Sequence, residues 1–180
     1  KLTHDPLTAL DPHQEPSPAA IHLLRKEVYA NCRAIFKEGT TFGHLGLIMP
    51  PAEHLILQGH AYVPAEYPDI PVYANEPDTA VRQGWEATYK TDLHEYTKEA
   101  TLTTLLKNQL LEAIPDTYTA ILQDPIQGYG DVTPRQILAH VFDTFGTIEP
   151  EDLEENMARL DAPWDPTTSI HEVFTVANQC

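Results

Sequence analysis

The sequence predicts an all-α chain: a helical bundle with one proline-rich loop and, near its front, a short extended segment or β-hairpin. Three observations predict it. Apolar residues recur at three- and four-residue spacing in Leu102, Leu106 and Leu110, and again in Ile137, Leu138, Val141, Phe142 and Phe145, so each run presents one apolar helical face. Helix-start signals stand at the head of the later runs: Pro115-Asp116, then Thr133 with Pro134 at the first helical position and Gln136 at the third, the pattern of a capping box. Prolines gather instead in residues 1–18 and 61–77, where they exclude helix interiors.

Residues 1–16, with Pro6, Pro12 and Pro16, form an extended N-terminal arm, either a flexible tail or a strap that docks on a neighbouring subunit. Residues 17–38 follow as a helix, with Ser17 as cap, Pro18 at its first position and Ile21, Leu24, Val28, Cys32, Ile35 and Phe36 as its apolar stripe; Gly39 ends it. Residues 40–49 are apolar but punctuated by Gly43 and Gly46, and are the candidate hairpin. Pro50-Pro51 opens a short helix to Leu57, which Gly59 breaks.

Residues 61–77 interleave Pro64, Pro68, Pro71 and Pro77 with Tyr62, Val63, Tyr67, Ile70, Val72 and Tyr73. Such a loop lies across a surface pinned by its aromatics, and such loops also serve as binding segments. Residues 79–114 carry the longest helical pattern, capped by Asp78. Val81, Trp85, Tyr89, Leu93, Tyr96 and Ala100 lead into the leucine stripe, with a kink where threonines crowd at 97–103. Trp85, Leu106 and Phe142 lie on the stripes and are expected to be buried.

A short helix from Pro115 buries Tyr118, Ile121 and Leu122. Asp124-Pro125 and residues 128–131 make a turn. The capped helix from Thr133 runs to Phe145 and stops at Gly146. Residues 149–160 form another, with Leu153, Met157 and Leu160 inward. Pro163-Trp164-Asp165-Pro166 is a rigid turn, and residues 167–180 begin a last helix, still continuing where the sequence stops. The division is thus an arm at 1–16, a helical domain at 17–166 and the start of a further helix at 167–180, in what reads as a portion of a longer polyprotein.

Charge narrows the function. The 180 residues hold 27 acidic and 11 basic side chains, a formal net charge of -16. Such a chain repels a phosphate backbone unless a local basic patch overrides it, and Arg25-Lys26 is the densest basic pair in the sequence, so direct nucleic-acid binding is not expected. Cys32 and Cys180 make neither a disulfide scaffold nor a zinc knuckle, which fits a reducing compartment, the cytoplasm. No apolar run approaches the ~20 residues of a membrane span. The nine histidines include no H-E-x-x-H; His94-Glu95 and His171-Glu172 start that pattern and do not finish it. Ser17 and Ser169 fit no nucleophile elbow, and Gly128-Tyr129-Gly130 lacks the lysine of a phosphate loop. The expectation is no catalytic residue, no cofactor and no metal.

The succession LLKNQLLEAIPDTYTAIL, then GYGDVTPRQILAHVFDTFGTIEPEDLEENMARLDAPWDPTTSIHEVF, resembles the Gag polyprotein of copia-type LTR retrotransposons, or a domesticated Gag-like protein. The upstream FGHLGLIMPPAEH and YVPAEYPDIP resemble the front of one divergent branch of these proteins. The resemblance spans roughly residues 21–174. It implies a retroelement capsid-like helical bundle, the N-terminal capsid domain, that self-associates into a virus-like shell around the element's RNA. The RNA would be met through a region outside this chain, since no knuckle or basic tail is present. Candidate self-assembly contacts are Pro6, Leu7 and Leu10 in the arm and Tyr62, Tyr67, Ile70 and Tyr73 in the loop. The alternative is a monomeric helical adaptor that binds a partner through the proline-rich loop; an enzyme with an unrecognised site is a third reading.

Overall fold

A computed structural model of the chain describes residues 5–72, 78–147, 153–154 and 157–158. Among them are five α-helices and no strand: α1 (Pro18–Ala34), α2 (Pro51–Gln58), α3 (Thr79–Ala113), α4 (Asp116–Thr119) and α5 (Pro134–Phe145). Two single turns of 3-10 helix, Leu45–Leu47 and Ala120–Leu122, complete the order.

The helix starts follow their local chemistry. The Ser17 side chain accepts the Ala20 amide at the head of α1, with Pro18 at a position that needs no donor. Thr133 and Gln136 close a reciprocal capping box on α5: the Thr133 hydroxyl accepts the Gln136 amide at 3.2 Å and the Gln136 side chain accepts the Thr133 amide at 2.8 Å. Asp78 precedes α3 without making a side-chain cap. Gly59 ends α2 in the left-handed conformation, φ +83°.

One core joins these elements. Ile21, Leu24, Val28 and Cys32 of α1 meet Leu102, Leu106, Leu110 and Ala113 of α3 and Ile137, Leu138 and Val141 of α5, all buried. The amphipathic face of α5 packs on both α1 and α3. Burial pushes the Cys32 thiol up to about 12, so it is a neutral packing group.

Several expectations change. Residues 40–49 form no hairpin. The chain leaves α1 at Ala34, and the Cys32 carbonyl accepts both the Ile35 amide and, at 3.1 Å, the His44 amide. That tight return explains Gly43: its φ is +57°, and a Cβ there would meet the carbonyls of Arg33 and Cys32 at 2.8 and 2.9 Å. Leu45, Ile48 and Met49 then drop into the core from the 3-10 turn. Because α1 ends early, Phe36 points to solvent, and in the short α4 segment Thr119 is buried while Ile121 is exposed. α3 runs as one helix through residues 97–103. The hydroxyls of Thr97, Thr101, Thr103 and Thr104 each donate to a carbonyl four residues back, which satisfies them without breaking the helix. Leu153 and Met157 are helical but exposed rather than inward. Leu160, the 163–166 turn and the helix of 167–180 lie outside the described residues.

From Asp5 onward the arm packs on its own chain. Leu10 is buried in the chain's own core, and its amide donates to the Ala113 carbonyl at 2.8 Å, filling one of the acceptors left open where α3 ends. The Asp5 carbonyl accepts from both Asn31 and Gln109 at 2.8 Å. Thr8 donates its amide and hydroxyl to Glu27 at 2.7 Å, and the Tyr118 hydroxyl sits between the carbonyls of Asp11 and Gln14. Polar sequence hid this docking because the arm is held mainly by its backbone.

A candidate interaction surface and its buried polar anchor

Residues 61–72 run back along the N-terminal half of α3. The order of contacts fixes the direction. The Ala65 amide donates to Glu99 at 3.2 Å, Tyr67 packs edge-on against Tyr96 at 5.3 Å, and Pro68, Pro71 and Val72 share a shallow groove with Trp85 and Tyr89. A hydrogen bond with Tyr67 pushes the Tyr89 hydroxyl's pKa up. Prolines keep the segment extended, and the tyrosines pin it, as their spacing suggests.

The outer side of this unit is apolar. Val63, Tyr67, Ile70 and Val72 are 72, 59, 70 and 83% exposed, and Val81 and Trp85 of α3 are 44% exposed. Trp85 is therefore no core residue: the first four turns of α3 extend past the bundle and carry the loop instead. Phe142 is half-buried against the core, and Leu106 is fully inside.

At the root of the loop sits a buried polar cluster. Lys37 donates to Glu99 at 2.8 Å, and its ammonium lies 4.9 Å from the centre of the Tyr62 ring. The Tyr62 hydroxyl is 3.2 Å from His44 Nδ1, and His54 packs edge-on to the same ring at 5.6 Å. Glu99 Oε2 lies 3.9 Å from His44 Nδ1. Burial pushes the Tyr62 phenol well above its ordinary range. Arg135 of α5 donates to the Gly46 carbonyl, and a Cβ at Gly46 would land inside the Tyr62 ring, so the loop's first tyrosine rests on bare backbone.

The two imidazoles are 0 and 1% exposed, and His44 Nε2, both His54 ring nitrogens and Arg135 Nε make no well-formed hydrogen bond. Burial lowers both imidazole pKa values, with Lys37 adding to the effect at His44 and the His60 backbone opposing it at His54. Both rings are neutral at pH 7 and closed to solvent, so they offer a substrate no accessible face. The cluster does mechanical work: it clamps Tyr62, and through Glu99 and Ala65 it sets where the loop meets α3.

Of the residues expected to make contacts between subunits, Leu10 is internal, Leu7 is half-buried against the core and Pro6 is exposed on the docked arm. Tyr62 is half-buried as the anchor, Tyr67 and Ile70 are exposed, and Tyr73 lies outside the described residues. Lys37 and Glu99 were not singled out from sequence. One signal was available: Glu99 continues the stripe of Leu102, Leu106, Leu110 and Ala113 at helical spacing, a charge where an apolar residue belongs.

Among the described residues, no group of three or more His, Cys, Asp or Glu side chains is placed to hold a metal ion, and no helix is long and apolar enough to cross a membrane. No family model, curated protein or solved structure matches the chain.

Proposed function

We propose that this chain is a structural protein of the Gag kind. Its helical domain is a capsid-like bundle that self-associates into a virus-like shell in the cytoplasm, with RNA met through a region outside this sequence and no catalytic role of its own. The carrying observation is the anchored apolar strip of Val63, Tyr67, Ile70 and Val72 laid along α3. Exposed apolar side chains grouped on one element mark an interaction surface, and here prolines and the Tyr62 clamp have already removed much of the entropy that docking would otherwise cost. The Gag-like order of helices supports the same reading. So does the net charge of -16, which suits contacts between proteins better than contact with a phosphate backbone. Weak contacts suffice in a closed shell, because many identical ones act together.

The same strip supports a second reading, a monomeric adaptor whose proline-rich loop receives a partner, because an extended, proline-stiffened segment is a ready-made ligand or platform. Light scattering and negative-stain microscopy of the purified protein across salt separate the two. Oligomers or shells that disappear in Ile70→Asp/Val72→Asp, with the melting temperature unchanged, support the capsid reading. A strict monomer at high concentration in both low and high salt sinks it.

A further inference from the structure

Burial along the proline-rich loop repeats every three residues. Tyr62, Ala65, Pro68 and Pro71 are half-buried, and the two residues between each of them and the next are exposed. Three residues per turn is the period of a polyproline II helix, and the loop follows it, with one edge laid on its own chain and two edges free. Glu66 and Asp69 stand on one free edge together with Val63 and Val72, and Tyr67 and Ile70 stand on the other. Residues 61–72 hold no lysine or arginine. The free side of the loop is therefore apolar and acidic at once.

One surface of the bundle has the opposite sign. α1 carries three of the chain's 11 basic residues, Arg25, Lys26 and Arg33, against one acid, Glu27, which Thr8 already occupies. Lys26, Tyr29, Ala30 and Arg33 line one open concavity. Arg25 pairs with Glu53 at 2.8 Å, and Arg33 lies over Phe42 at 5.1 Å. Among the described residues no carboxylate pairs with Lys26 or Arg33, and no cation pairs with Glu66 or Asp69. The spacings agree. Lys26 and Arg33 are two helical turns apart on one face, about 10.5 Å along α1. Glu66 and Asp69 are one polyproline turn apart on one edge, about 9 Å. Apolar groups accompany both pairs: Tyr29 and Ala30 lie between the two cations, and Tyr67 and Ile70 lie beside the two acids.

We propose that the free side of the polyproline loop of one copy seats in the α1 concavity of a second copy of this chain, Glu66 and Asp69 meeting Lys26 and Arg33, with Tyr67 and Ile70 covering Tyr29 and Ala30. The charges select the partner surface, and the apolar groups supply the area taken from water. Both surfaces stand open in the same chain, so neither covers the other there. The contact is heterologous, one patch on another, so it propagates from copy to copy rather than stopping at a pair. It rests on the self-association proposed above and names the partner of the apolar strip.

The experiment is complementation, read by sedimentation velocity on the full chain. One variant reverses the concavity, Lys26→Glu/Arg33→Glu; a second, Lys26→Glu/Ala30→Glu, keeps the Arg33–Phe42 contact and guards against misfolding. The partner variant reverses the loop, Glu66→Lys/Asp69→Lys. Each alone sets like charges against each other and should raise the midpoint concentration of assembly at least tenfold while keeping the wild-type melting temperature. An equimolar mixture of concavity-reversed and loop-reversed chains should assemble again. There the acidic loop of the first meets the basic concavity of the second, and the basic loop of the second meets the acidic concavity of the first, so copies alternate. A chain carrying both reversals should assemble as well. Unchanged assembly of both concavity variants, or a mixture that assembles no better than its separate components, overturns this contact and leaves the capsid reading standing. A wild type that never assembles removes the capsid reading and the contact with it.

Discussion

The two halves of α3 are one continuous helix with opposite fates. From Glu99 to Ala113 every third or fourth residue is buried, in Leu102, Leu106, Leu110 and Ala113, against α5 and the core of α1. From Thr79 to about Tyr96 the same kind of spacing continues, but Val81 and Trp85 are 44% exposed, and Trp85 and Tyr89 share a groove with Pro68, Pro71 and Val72 of the extended segment. An apolar stripe therefore says that a helix will be covered, but not by what. The inner half is covered by α1 and α5, and the outer half by a thin strap whose own far side remains apolar.

Leu106→Ala tests the inner half most severely. It should destabilise the fold by about 2–5 kcal/mol through the cavity it leaves, measured by urea unfolding. A loss below 1 kcal/mol would place Leu106 outside a packed core.

Deleting residues 1–15 comes next. It removes Leu10 from the core and the amide that satisfies the Ala113 carbonyl, at the end of α3 far from the loop. Burial of the leucine side chain alone is worth about 1.5–3 kcal/mol, so the melting temperature should fall by several degrees. An unchanged melting temperature would return the arm to the status of a free tail.

Acid tests the joint between the halves. The folded-state pKa values of His44 and His54 are lowered, so their contribution to stability is present above the unfolded value near 6.5 and is lost as pH falls below it, when the unfolded chain binds protons that the folded one does not. The slope is up to about 1.4 kcal/mol per pH unit for each histidine. Protonated imidazoles need water, and the nearest way to it is release of Tyr62. Urea midpoints between pH 7 and 5 should fall faster for the wild type than for His54→Gln. Parallel slopes would show that His54 does not titrate with unfolding.

The smallest effect on stability belongs to the outer strip. Val72→Ser should change stability by no more than about 0.5 kcal/mol, since the side chain is 83% exposed, while lowering self-association measured by light scattering. A larger stability loss would mean that the strap is part of the core.

Signals carried by a few adjacent residues were legible in the sequence. The start of α1 at Ser17-Pro18, the capping box at Thr133 and the stop of α2 at Gly59 all depend on hydrogen bonds within four residues, and the inner stripe of α3 needed only its period. Long-range partners were not legible. Leu10 is 103 residues from the carbonyl it caps, and Glu99 reaches Lys37 and Ala65 from two other segments. Residues 40–49 looked like a hairpin because glycine and apolar residues alternate there, but the return of the His44 amide to Cys32 made a compact turn instead.

By itself the sequence determined an all-helical chain, its main helix starts, its acidity and the apolar character of the proline-rich loop, because propensity, capping and composition are local or additive. Only the tertiary structure decided which stripes go inside, that the arm belongs to its own bundle, and that His44, His54, Tyr62 and Glu99 form the clamp beneath the loop. Burial is a property of what lies opposite a side chain, and that is set by packing between segments far apart in the chain.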